Sequence, residues 1–270
     1  MMQLKLNRKD TGRTLIMGIL NCTPDSFSDG GKFLSPDKAV AHALEMSAEG
    51  ADIIDIGGES TRPGYTPVDE AEESARVIPV ISELSGKGIV TSVDTTKISV
   101  AKVAIENGCC ILNDIGGDLK SSQMAEIAAY NGAYLVIMFN CRVNGPCEGS
   151  VIGRAREEIG RNIEYALSKG VSGDKIIIDP GIGFGTTREQ DIELTMQLQS
   201  LDFGYPVLYA ASRKRIVGDI YDCGDDLALK DRCSDALALT AVTQGASIIR
   251  SHGIRELKAQ LAVADRFMEA

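Results

Sequence analysis

Positive charge is the first thing this sequence is short of: 28 lysines and arginines stand against 38 aspartates and glutamates in 270 residues, a formal net charge of −10. That balance excludes an extended face for nucleic-acid phosphates or for an anionic membrane, while leaving room for a local basic pocket. An apolar leader is also missing. The charged start MMQLKLNRKD has no hydrophobic stretch behind it, and the run Leu15 to Leu20 is far too short to span a bilayer. The seven cysteines are odd in number, include the adjacent pair Cys109-Cys110 and form no C-x-x-C. Neither Cys141 with Cys147 nor Cys223 with Cys233 has further ligands at zinc spacing, so all seven read as reduced thiols in a cytoplasmic protein. No repeat, low-complexity linker or shift in composition marks a second domain.

What is present is alternation. Short β-branched or apolar runs at 15–20, 52–56, 89–93, 110–113, 133–138, 175–179, 206–210 and 247–250 are separated by longer stretches with helical periodicity. Ser35-Pro36 reads as a helix cap followed by proline in the first turn, and Thr66-Pro67 repeats the pattern with Asp69 in the first turn. Pro79 should kink or divide the helix expected over 70–84. Ile254, Leu257, Leu261, Ala264 and Met268 form one apolar stripe of a final helix.

Eight strands in 270 residues suit a single (β/α)8 TIM barrel spanning 1–270, of class α/β. An open doubly wound sheet would share the periodicity. Strand ends separate the two. Polar residues follow every run: Asn21, Glu59 to Arg62, Asp94, Asn113 and Asp114, Asn140, Asp179, Ser212 to Lys214, and Arg250 with His252. A barrel gathers all of these at one mouth. Taken singly, Asp179 reads equally as an Asp-Pro turn and Asp94 as a helix cap.

Longer segments narrow the reading. Asn21-Cys-Thr-Pro-Asp-Ser-Phe-Ser-Asp-Gly-Gly31 is a long polar βα loop able to bind phosphate oxygens or a metal ion. Gly57-Gly-Glu-Ser-Thr-Arg-Pro-Gly64, Ser92-Val-Asp-Thr95, Asn113-Asp-Ile115, Asp179-Pro-Gly-Ile-Gly-Phe-Gly185, Ser212-Arg-Lys214 and Arg250 with His252 follow in order. From residue 15 to 252 this series closely resembles the dihydropteroate synthases, pterin-binding barrel enzymes.

The resemblance implies a transferase that condenses 6-hydroxymethyl-7,8-dihydropterin pyrophosphate with p-aminobenzoate, giving dihydropteroate and pyrophosphate in folate biosynthesis. A pterin edge of N–H donors beside ring acceptors calls for carboxylates, an amide and an ammonium. Asp94, Asn113, Asp179 and Lys214 supply that set, with Met138 as an apolar floor. By the same resemblance Arg250 and His252 face the leaving pyrophosphate, Asn21 is a ligand of Mg2+, and Thr61, Arg62, Pro63 and Phe184 flank the amine, with the loops at 21–35 and 57–66 closing over it. Asp94, Lys214, Arg250 and His252 are the residues expected to act on the reacting groups.

Four departures from the family pattern are expected to touch the mouth, Arg215 where serine is usual, Phe139 for histidine, Gly253 for aspartate and Ala210 for glycine, and Thr186-Thr187 leading to Asp191 stands in place of K-T-x-x-x-N. They leave open a pterin-binding paralogue with an altered or lost amine acceptor. A methyltetrahydrofolate:corrinoid methyltransferase shares the barrel but has no use for a pyrophosphate loop. Barrels of this kind often pair through outer helices, so a homodimer through 234–244 and 254–268 is expected.

Overall fold

The β-branched runs become the staves of a barrel. In the computed structural model, which describes residues 3–23, 35–60 and 66–268, eight parallel strands alternate with helices. The strands are β1 (Leu15–Asn21), β2 (Ile53–Gly57), β3 (Thr91–Asp94), β4 (Ile111–Asp114), β5 (Tyr134–Met138), β6 (Ile176–Asp179), β7 (Leu208–Tyr209) and β8 (Ile248–Ser251). The helices are α1 (Arg8–Thr11), α2 (Pro36–Glu49), α3 (Glu70–Gly86), α4 (Ile98–Glu106), α5 (Met124–Asn131), α6 (Cys141–Asn144), α7 (Val151–Ser168), α8 (Arg188–Met196), α9 (Arg215–Ile220), α10 (Leu227–Thr243) and α11 (Arg255–Met268). Hydrogen-bonded neighbours run β6-β5-β4-β3-β2-β1-β8-β7. The ring closes between β6 and β7 through a bridge of Ile178 with Val207, where the Ile178 N–H donates to the Pro206 carbonyl at 3.0 Å.

Alternation along each strand sorts the side chains into two layers. Ile16, Ile54, Val93, Leu112, Leu135, Ile178, Tyr209 and Ile249 belong to the outer core beneath the helices. Leu15, Met17, Ile53, Ile111, Tyr134, Val136, Ile177, Leu208 and Ile248 form the inner core together with Leu6. Leu4 packs against this inner core and its N–H donates to the Tyr134 hydroxyl at 2.6 Å, which fixes the N-terminal segment to it. Higher up, the same inward-facing positions turn polar, and there the candidate site lies.

Several local expectations are corrected. Ser35 does cap α2, but α3 is capped by Asp69, whose carboxylate accepts the Glu72 N–H at 2.7 Å, so Thr66-Pro67 precedes the helix. Pro79 does not divide α3. It lies on the exposed side, and the carbonyl its missing N–H leaves unbonded belongs to the exposed Ala75, where water can reach it. In α11 the buried stripe is Leu257, Leu261 and Asp265, while Met268 is exposed. Asp265 takes that place because it accepts the Thr14 N–H at 2.8 Å and hydroxyl at 2.7 Å and pairs with Arg8 at 3.0 Å. The strand expected at 206–210 shrinks to two residues, since Pro206 has no N–H to give a ladder. Among the described residues no helix is long and apolar enough to cross a membrane.

Candidate active site

Strand register assembles the polar column. Asp55 lies opposite Ser92, Gly57 opposite Asp94, Asp94 opposite Asn113, Met138 opposite Asp179, and Met17 opposite Arg250. Arg250 is pinned inside the barrel: Nε donates to Asp55 Oδ2 at 2.5 Å and a terminal nitrogen to Asp94 Oδ2 at 2.8 Å. Asn113 Nδ2 donates to the same Asp55 oxygen at 3.0 Å, which leaves its carbonyl oxygen as the group still to be matched. Asp94 Oδ1, Asn113 Oδ1, Asp55 Oδ1 and Ser92 Oγ are buried with no hydrogen-bond partner among the described residues. Buried acceptors in that state are costly, and a ligand bearing N–H donors relieves them.

Asp55 is the residue that the sequence reading missed. Fully buried, it organises both Arg250 and Asn113. Its signal lay in the period-2 pattern of the 52–56 run, which puts Asp55 on the face of Ile53 and Gly57, inward.

Across the mouth, Asp179 Oδ1 accepts the Gly181 N–H at 2.7 Å. Gly181 has φ +71°, and a Cβ there would stand 1.7 Å from the Phe139 carbonyl oxygen, so only glycine lets the segment turn against β5. Lys214, the residue preceding α9, donates to the Ile182 carbonyl at 2.8 Å and places Nζ 4.6 Å from the Phe184 ring centroid. Arg142 stands 4.7 Å from the same ring and donates to the Gly183 carbonyl at 2.9 Å. Burial pushes the Asp94 carboxyl up to about 7; Arg250 opposes the rise and Asp55 adds to it. Burial likewise raises Asp179 against the pull of Lys214, and lowers the Lys214 ammonium to about 8 although Asp179 opposes this. For Arg250 burial acts against the charge, but Asp55 and Asp94 outweigh it and its pKa is raised. Burial and the opposed charges of the column thus set the direction in which each member's protonation shifts.

The remaining expected residues fall as follows. His252 Nδ1 is 3.0 Å from Ser212 Oγ, which also accepts the His252 backbone N–H at 3.2 Å. Met138 is buried on the inner face beside Asp179. Asn21 ends β1 with Oδ1 4.0 Å from where a Cβ on Gly57 would stand. Thr61, Arg62 and Pro63, and most of the loop at 21–35, lie outside the described residues. Among the departures, Phe139 is a correction: it is buried in the outer core, away from the mouth. Arg215 donates to the Thr186 carbonyl at 3.0 Å and pairs with Asp219 at 3.3 Å. Asp191 accepts the Gly183 N–H at 2.9 Å and pairs with the Thr186 hydroxyl. Arg213 is turned away from the mouth, bound to Asp231 at 2.6 and 2.7 Å.

This constellation has known counterparts. A family model described as pterin binding enzyme matches residues 17–252. The chain is 40% identical over 258 residues to the dihydropteroate synthase of Bacillus subtilis (strain 168), covering 95% of this chain and 89% of that one. It superposes on the Xanthomonas albilineans dihydropteroate synthase solved with 4-aminobenzoic acid with a TM-score of 0.90 at 35% identity, covering 96% of this chain and 94% of that one. For the Xanthomonas albilineans enzyme in complex with 7,8-dihydropteroate, the TM-score is 0.88 at 33% identity, with 99% and 96% covered. With matches of this extent, the chain belongs to the pterin-binding enzymes and, among them, to the dihydropteroate synthase family.

Proposed function

We propose that the protein is a dihydropteroate synthase, joining 6-hydroxymethyl-7,8-dihydropterin pyrophosphate to p-aminobenzoate in folate biosynthesis. The observation that carries this reading is the pair of buried, unmatched acceptors Asp94 Oδ1 and Asn113 Oδ1, facing a column that also holds Asp179 and Lys214. A flat heterocycle with N–H donors on one edge and acceptors on the other satisfies them together. Asp179 binds the amidine-like edge, Asn113 and Asp94 the remaining N–H groups, and Lys214 the ring acceptor, with Met138 as the floor.

In this reading the bond from the pterin methyl carbon to the pyrophosphate oxygen breaks first, and the ring delocalises the positive charge. The neutral aromatic amine then attacks that carbon and loses a proton. The carboxylates of Asp94 and Asp179 favour the cationic ring electrostatically, and no protein nucleophile is needed. Arg250 and His252 flank the departing anion, Phe184 packs on the amine ring, and Thr61, Arg62 and Pro63 complete that side. Asn21 presents a hard amide oxygen at the mouth, which suits Mg2+, an ion that draws most of its ligands from phosphate and water. Bound there, Mg2+ would offset charge on the leaving oxygens.

Arg215 supports a second reading, a paralogue with another amine acceptor, because its guanidinium is engaged by Thr186 and Asp219. We also place the protein in the cytoplasm, in keeping with seven free cysteines, and as a homodimer through α10 and α11, where Val263 and Phe267 are exposed. Light scattering at a defined concentration tests the dimer. Turnover tests the function: with Mg2+, the pterin pyrophosphate and p-aminobenzoate, pyrophosphate and dihydropteroate should appear together and vanish in Asp179→Ala. Pterin binding without either product would favour the paralogue.

A further inference from the structure

The turn between β7 and α9 has an uncommon backbone. Arg213 has φ +55°, the one positive value at a non-glycine position among the described residues. It is the third residue of a four-residue turn, closed where the Lys214 N–H donates to the Ala211 carbonyl at 3.1 Å, and at that place a positive φ favours glycine. Something must hold an arginine there, and α10 does so. The Arg213 N–H donates to Ser234 Oγ at 3.0 Å, and its guanidinium forks onto the two oxygens of Asp231 at 2.6 and 2.7 Å. Asp231 also lies against the segment after β8, since a Cβ on Gly253 would stand 3.5 Å from its Oδ2.

The neighbours of Arg213 face the other way. Ser212 Oγ is 3.0 Å from His252 Nδ1, and Lys214 Nζ donates to the Ile182 carbonyl at 2.8 Å. Turning Arg213 out toward α10 lets the residues on either side of it both engage the mouth. A left-handed conformation costs an L-residue about as much as a tenfold change in an equilibrium constant. Without its hold on α10 the turn relaxes, and Lys214 is drawn from its place. The side chains of Arg213 and Asp231 remain 25% and 22% exposed, so the pair contributes little to overall stability and its effect falls on the shape of the turn.

We propose that Asp231 is a positioning residue for Lys214, acting through the backbone of Arg213. Its use in the reaction rests on the functional reading above, in which Lys214 meets a ring acceptor of the pterin; the placing of Lys214 itself does not.

Two readouts separate these levels. In the ligand-free protein, competitive labelling with acetic anhydride across pH, read by mass spectrometry, follows the titration of the Lys214 amine. Burial lowers it to about 8, opposed by Asp179, aided by Arg250, and opposed again by Asp191 and Asp94. Asp231→Ala should move that midpoint up by about one unit as the amine gains water. It should also weaken calorimetric binding of a pterin about tenfold, with Ser234→Ala changing both in the same direction. Arg213→Gly takes up a positive φ unaided, so in that background Asp231→Ala should leave the midpoint in place and the Kd within about twofold. A Lys214 midpoint unmoved by Asp231→Ala would overturn the proposal, as would an equal effect of that substitution in the glycine background. A parent chain that binds no pterin, with the midpoint moving as described, would overturn the functional reading and leave Asp231 as the residue that places Lys214.

Discussion

Replacing Asp94 with asparagine should raise the stability of the ligand-free protein above neutral pH while abolishing pterin binding. Burial lifts the Asp94 carboxyl from 3.8 to about 7, so between those values the folded protein holds a proton that the unfolded chain has released. That stability is fully present below the lower value and is lost as pH rises through the upper one. At about 1.4 kcal/mol per pH unit, the penalty at pH 8.5 is at most about 4 kcal/mol. Asparagine keeps a carbonyl oxygen for Arg250, whose pull on the carboxylate is already contained in the raised value. The gain is therefore at most about 4 kcal/mol, or about 8–16 °C in Tm for a chain of this size. At about pH 3.5, below both values, the folded and unfolded parent hold the proton alike and the two proteins should melt nearly together. Since the chain has no tryptophan, far-UV circular dichroism is the natural signal. A variant less stable than its parent at pH 8.5, or a gain of equal size at both pH values, would refute the argument.

Asp55→Asn removes a negative charge that raises the Asp94 carboxyl, so the midpoint at which stability falls with pH should move down by about one unit, read from the same melts. An unmoved midpoint would count against Asp55 acting on its neighbour. Gly181→Ala forces a Cβ into the Phe139 carbonyl at a positive φ and should cost about 3 kcal/mol or more, visible as a lower urea midpoint. An unchanged midpoint would mean that the segment after Asp179 turns without needing glycine.

The barrel was legible in the sequence because most of its strands obey one rule. β-Branched or apolar runs bury on both faces, and several reach a polar residue at an inward position at or beside their end, as at Asp94, Asn113 and Asp179. Where that rule was applied only to the strand end, Asp55 was overlooked, since it lies two residues short of the end of β2. Helix starts were legible where a cap and a proline coincide, as at Ser35-Pro36. They were misplaced at Thr66-Pro67, where Asp69 captures the first free N–H groups instead. The stripe of α11 failed at its last turn because a bond to Thr14, far away in sequence, drew Asp265 inward. The roles of Arg215 and Asp191 were out of reach for the same reason: both are set by carbonyls and amides of the 183–186 turn, which no spacing in the chain announces.

The ring of strands has one thin joint. Between β6 and β7 the ladder is reduced to a single bridge, yet Asp179 stands at the end of one of these strands and Lys214 follows the other, reaching back to the Ile182 carbonyl. On the proposed reading, a molecule held between that acid and that lysine would also be a rivet across the weakest stave of the cask. Amide hydrogens along 176–179 and 207–209 should exchange faster than those of the other strands in the empty protein, and slow the most when the site is filled. On the proposed reading, filling the pocket would also brace the joint between β6 and β7.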